Sequence, residues 1–172
     1  MKSYAGFWQR VKAFLFDYSI ILGYLIAITV LGLLLRQFTS GFEWLFADRV
    51  RAQGTVILIL TMPVSLFFAL GDASLKQGTW GKRRVGLKVK DKNGDRIGLG
   101  RSLLRTGLKF IPWELSHTLL WEIAFSNGAS SVLINYGYAF VYLLIGLNIA
   151  SVLLTKTNQS LYDLLAGTYV VQ

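Results

Sequence analysis

No cysteine occurs among the 172 residues, and histidine occurs once, at His117. Without thiols there is no disulfide framework, thiolate zinc site, iron–sulfur centre or cysteine nucleophile. A single imidazole leaves little room for a His-rich metal site or a Ser-His-Asp triad, so no metal, cofactor or enzymatic role is expected. Charge is scarce as well: Asp, Glu, Lys and Arg make up 16%, against about 25% in an ordinary soluble domain. What fills the gap is apolar. Hydrophobic residues reach 53% and aromatics 14%, with a mean hydropathy of +0.49. Such a composition, gathered in long blocks, predicts a small polytopic membrane protein, one domain over positions 1–172.

Four regions carry the apolar mass. Positions 13–35 hold Asp17 as their only charge, and at 1.5 Å per residue they reach about 34 Å, enough to cross a hydrocarbon core of about 30 Å. Positions 55–75 contain Pro63, which should kink a helix whose freed carbonyl finds another partner. Positions 132–154 are uncharged, with Asn135 and Asn148 inside them as candidates for interhelical hydrogen bonds. Gly23 and Ala27 would let the first helix approach a neighbour closely. The remaining region, 103–125, is two-natured. Its Glu114, Thr118 and Glu122 fall at i, i+4 and i+8, a single polar stripe on a helix. It reads as a fourth span with the stripe facing its neighbours, or as an interfacial amphipathic helix. The expected fold is therefore an all-α transmembrane bundle of four, alternatively three, spans.

The formal net charge is +9, and its distribution orients the chain. Between Lys76 and Lys109 lie 11 basic residues against Asp91 and Asp95, a local excess equal to that of the whole protein. The positive-inside rule places this loop, 76–102, and the amino terminus in the cytoplasm, making the chain a multi-pass protein of the inner (plasma) membrane. Within the loop, Arg84-Val85-Gly86-Leu87-Lys88-Val89-Lys90 alternates like a strand. Asp91-Lys92-Asn93-Gly94 is a turn signal, and Arg96-Ile97-Gly98-Leu99 can return as a second strand. A small cytoplasmic β-hairpin between the second and third apolar regions is expected, to which 168–171 could add. The turn at Ser126-Asn127-Gly128-Ala129-Ser130 would join an antiparallel helix pair.

Several stretches together resemble the RDD family of bacterial integral membrane proteins, named for one arginine and two aspartates. Tyr4-Ala5-Gly6-Phe7-Trp8-Gln9-Arg10 with Asp17-Tyr18 is similar to its opening pattern. Thr79-Trp80-Gly81-Lys82-Arg83 followed by Gly86-Leu87-Lys88-Val89 is similar to its loop stretch. Gln159-Ser160-Leu161-Tyr162-Asp163-Leu164-Leu165-Ala166-Gly167-Thr168 resembles its closing motif, making Asp163 the second aspartate. Tyr162 and Leu164 depart from the family, which often has His and Arg there. The resemblance implies a multi-span membrane protein, and cation/proton exchange is attributed to some members.

Two constellations could carry chemistry. Asp17 lies inside the first span, where a carboxylate needs a partner. Arg10 is two turns earlier on the same face, about 10 Å along the axis, so a third group such as Asp163 would have to join them. Arg10, Asp17 and Asp163 form either a structural clamp or a cation and proton site. Glu114, His117, Thr118 and Glu122 form the second set. A di-metal bundle site would need a second Glu-x-x-His, which one histidine cannot supply. Helix packing or ion coupling through His117 remains.

Gly81-Lys82-Arg83 fails as a phosphate loop, with Lys76 where the first glycine belongs and Arg83 where Ser or Thr is required. Lys82, Arg83, Arg84 and Lys88 are instead assigned to anionic lipid headgroups. Nucleic acid is not an expected partner, because the aromatics lie in the spans rather than among the loop's bases. Two functions stay open: a secondary transporter exchanging a monovalent cation for protons, which a chain this small would need to assemble as a homo-oligomer, or a non-transporting adaptor for lipid or another membrane protein.

Overall fold

The computed structural model describes residues 3–39, 41–126 and 132–172. Positions 127–130 of the expected interhelical turn lie outside them. Helix α1 runs over Phe7–Phe38 and short α2 over Gly41–Leu45. Helices α3 (Arg49–Val56) and α4 (Met62–Ala73) are joined through a π-helical turn at Ile57–Thr61 into one rod. There follow α5 (Trp80–Arg84), strand β1 (Lys88–Asp91), α6 (Leu99–Phe125), α7 (Val132–Leu154), α8 (Leu161–Ala166) and β2 (Thr168–Val171).

Among the described residues three helices are long and apolar enough to cross a membrane: Phe7–Phe38, Arg49–Ala73 and Val132–Leu154. Helix α6 is a continuous 27 residues, about 40 Å, and packs along both α4 and α7. Its charges separate it from the other three. Its Glu114 stripe turns toward the rod formed by α3 and α4, and Gly137 of α7 lies against Leu119 on another side. The close helix approach is there; around Gly23 nothing lies within 4 Å of where a Cβ would stand.

Pro63 has no N–H to give the Ile59 carbonyl four residues back. Tyr24 of α1 donates its hydroxyl to that carbonyl, and the chain locally widens to the π-helical turn. The second apolar region thus meets Pro63 with a π-helical turn, and the Tyr24 hydroxyl reaches the freed carbonyl.

The expected hairpin is corrected. Strand β1 pairs antiparallel with β2, Lys88 opposite Val171 and Asp91 opposite Thr168. The return segment makes only an isolated bridge, Lys90 with Arg96. It has little length to do more, because Gly98 already caps α6. Tyr4 bridges to Val171, and Ala5 donates its N–H to the Val170 carbonyl at 2.9 Å. The amino terminus, the loop and the carboxyl terminus therefore meet in one cap. Ala5, Leu87, Val89, Ile97 and Val170 are buried there around Ala13 of α1, each large side chain worth about 1.5–3 kcal/mol of burial.

Candidate functional site: a buried charge network at the end of the bundle

Asp163 sits at the third position of α8, whose N-cap is Ser160. The Ser160 hydroxyl accepts from the Asp163 N–H, and the Asp163 carboxylate reaches back to the Ser160 N–H, a reciprocal capping box. One acid here serves two tasks. Its Oδ2 also accepts from Arg10 Nη1 at 2.7 Å, and its Oδ1 from Arg105 Nε at 2.7 Å and the Thr168 hydroxyl at 3.1 Å. Gly167 ends the helix at φ +61°, a left-handed position that favours glycine, and turns the chain into β2.

Arg105 extends the network. Its Nη1 donates to Asp72 Oδ2 at 2.5 Å, so one guanidinium bridges the end of α4 to α8. Asp72 in turn receives Lys82 Nζ from α5 on both oxygens, at 2.5 and 2.7 Å. Arg10 completes its bonds on backbone, Nε on Ala5 O and Nη2 on Asn158 O. Asp72 and Asp163 are fully buried and Arg105 is 3% exposed. Burial disfavours an ionised Asp163, but Arg105 and Arg10 overcome it and hold that carboxyl well below the usual carboxylate range. Burial likewise draws the Lys82 ammonium below the usual lysine range, against the pull of Asp72.

Asp17 stands apart from this chain of ion pairs. It is 1% exposed, and it accepts from the Thr79 hydroxyl at 2.5 Å and from the Gly81 N–H at 2.7 Å. Thr79 is the N-cap of α5, so Asp17 fastens the start of that helix to α1. Arg10 and Asp17 lie on one helix but serve different partners.

Of the expected trio, the structure brings Arg10 and Asp163 together. Asp72, Arg105, Thr79 and Gly81 were missed. A usable signal existed: Asp72 and Arg105 are charges in or beside apolar regions, and each needs a partner. Lys82 turns inward onto Asp72, whereas Arg83, Arg84 and Lys88 remain exposed.

The α6 stripe is engaged in packing. Glu114 accepts from Gln53 Nε2 at 3.2 Å and from the Thr61 hydroxyl, and Glu122 pairs with Arg49. His117 Nδ1 lies 4.0 Å from Glu114 Oε1, and the Thr118 hydroxyl returns to the Glu114 carbonyl of its own helix. In α7, Asn148 Nδ2 bonds the Leu144 carbonyl of its own helix rather than a neighbour. Among the described residues no group of three or more His, Cys, Asp or Glu side chains could hold a metal ion.

The capped α8 with its doubly paired aspartate, the arginine at the start of α1 and the α5 loop hooked on Asp17 together carry the three matching stretches of sequence. The profile of the RDD family matches residues 4–167. The chain belongs to the RDD family. Proteins of that family are membrane proteins, in keeping with the three apolar helices. An uncharacterized protein of Bacillus subtilis (strain 168), YxaI, is 31% identical over 113 residues, covering 61% of this chain and 75% of that relative. No solved structure matches.

Proposed function

We propose that this RDD protein is a non-enzymatic, non-transporting membrane adaptor. It crosses the inner membrane four times with α6 as the additional span, and its amino terminus and basic loop are cytoplasmic. Arg83, Arg84 and Lys88 rest on anionic headgroups, each adding about 1 kcal/mol of attraction near the surface. A second membrane protein or another copy of the chain meets the lipid-facing helices.

One observation carries this reading over transport. Asp17, Asp72 and Asp163 are each already bound by two or more donors, with cations on the latter two. A carboxylate so held is a clamp between helices, and a site that cycles protons needs one free to change partners. Exchange of a monovalent cation for protons is the second reading. It draws on Glu114, whose neighbour Gln53 leaves its Oε1 buried and unpartnered.

Proteoliposomes holding a pH gradient and an internal dye separate the two. The adaptor reading expects no gradient collapse on adding Na⁺, K⁺ or Li⁺. It also expects that stability in nanodiscs rises with the fraction of anionic lipid, and that the rise is smaller in an Arg83→Gln/Arg84→Gln/Lys88→Gln variant. Cation-dependent collapse abolished by Glu114→Gln would replace it with exchange.

A further inference from the structure

Lys109 lies one turn beyond Arg105 on the same face of α6. Arg105 is satisfied by two carboxylates, but among the described residues Lys109 has neither a carboxylate at ion-pair distance nor a hydrogen-bond partner. Its ammonium rests 3.4 Å from the centroid of the Phe68 ring. Arg10, Lys82, Arg105 and Lys109 face Asp17, Asp72 and Asp163, so this end of the bundle holds one positive charge more than it matches. A cation away from bulk water without a counter-charge is costly, and an anion that enters relieves it.

Lys109 lines three cavities. One, of about 230 Å³, opens toward Arg10, Asp17, Arg105 and Asn148. A second, of about 220 Å³, is almost wholly apolar: Phe14, Tyr18, Ile21 and Leu25, one face of α1, stand opposite Leu60 and Val64. A third, of about 290 Å³, lies between α6 and α7, again beside Lys109 and Asn148. Asn148 Oδ1 is buried there without a donor. An unmatched ammonium, an unfilled acceptor and an apolar cavity that Lys109 also lines together describe a molecule with an anionic, hydroxyl-bearing head and a hydrocarbon tail.

We infer that the site at Lys109 binds one anionic phospholipid, its phosphate on the Lys109 ammonium, a headgroup hydroxyl on Asn148 Oδ1 and an acyl chain in the apolar cavity between α1 and α4. A small free anion would use the ammonium and leave the apolar cavity empty. Lys109 lies about 15 Å along α6 from Leu99, a depth that a lipid phosphate entering from the loop side can reach. The site rests on the chain's being in a membrane; it is separate from the exposed Arg83, Arg84 and Lys88.

The test uses the full chain, delipidated in mild detergent, with binding of phosphatidylglycerol, phosphatidylcholine and inorganic phosphate followed by native mass spectrometry and thermal unfolding. One phosphatidylglycerol per chain should be retained, about tenfold more tightly than phosphatidylcholine, and inorganic phosphate should not displace it. Lys109→Gln should abolish the preference, Lys109→Arg should keep it, and Arg83→Gln/Arg84→Gln/Lys88→Gln should leave it intact. Loss in that triple variant with retention in Lys109→Gln would move lipid binding to the outer surface and overturn the inference. Displacement by equimolar phosphate would reduce the site to a small-anion site and overturn it as well. The wild-type comparison needs no variant: equal affinity for the two lipids overturns it directly.

Discussion

Gly81 presses against Ala13 so closely that a Cβ built on it would stand 2.1 Å from the Ala13 carbonyl oxygen and 2.8 Å from the Asp17 nitrogen. These obstacles are backbone, which cannot swing aside as a side chain does. Glycine is therefore demanded at 81 by the contact of α5 on α1, and the same closeness lets the Gly81 N–H reach Asp17.

Gly81→Ala is expected to separate α5 from α1 and destabilise the protein by about 1–3 kcal/mol or more, the range for forcing extra atoms into a packed site. Asp17→Asn keeps the shape and removes the charge that shortens two hydrogen bonds, so it should cost less than Gly81→Ala. Thermal unfolding in detergent, run side by side, checks the order. The reverse order would place the weight on the carboxylate rather than on the close approach.

Arg105 is the member of the network with the most to lose. Arg105→Met leaves Asp72 and Asp163 buried, with Asp163 still held by Arg10 and Asp72 by Lys82. Breaking a buried pair costs about 3–5 kcal/mol, since the partner keeps its desolvation penalty. The Arg105→Met/Asp72→Asn double variant should cost less than the sum of the two single losses, because the Arg105–Asp72 pair is then lost only once. Strict additivity of the two losses would deny that these side chains act as one unit.

How far the sequence alone leads depends on which distances matter. The helices follow from apolar runs, and the span expected at 132–154 coincides with α7. Pro63 announced a freed carbonyl through its missing N–H, and the π-helical turn at Ile57–Thr61 precedes it. Asp163 and Arg10 were legible as intramembrane or motif charges in want of a partner. Arg105 and Asp72 were not paired in advance, because their meeting depends on how α4 and α6 lie side by side, which no local spacing encodes. The hairpin failed for a related reason. A turn signal at Asp91-Lys92-Asn93-Gly94 favours a local partner, but β2 offers four residues of pairing where the return segment offers one bridge. Lys82 looked like its exposed neighbours Arg83 and Arg84; only the short helix α5, capped by Thr79, turns it inward.

Acid should weaken the clamp in a defined window. The folded-state carboxyl of Asp163 titrates below its unfolded value of about 3.9, so its stabilisation is fully present above that value and is lost as pH falls toward the folded one. Unfolding in detergent should therefore become easier below about pH 4. An Asp163→Asn variant, less stable at neutral pH, should show a flatter acid limb. A limb as steep as that of the wild type would assign acid sensitivity to other carboxylates.

The tie between Tyr24 and Ile59 exists because Pro63 leaves a carbonyl open. In the wild type, Tyr24→Phe removes the hydroxyl that reaches that oxygen and should cost about 0.5–1.5 kcal/mol, the net worth of a typical hydrogen bond. Pro63→Ala restores an N–H at position 63 and lets the rod recover regular α-helical bonding through Ile57–Thr61. In that background the carbonyl has a partner within its own helix, and Tyr24→Phe should cost about half as much or less. A double-mutant cycle measured by thermal unfolding in detergent reads the coupling. Equal cost of Tyr24→Phe in both backgrounds would mean that the hydroxyl does not answer for the proline, and that the π-helical turn satisfies its own backbone.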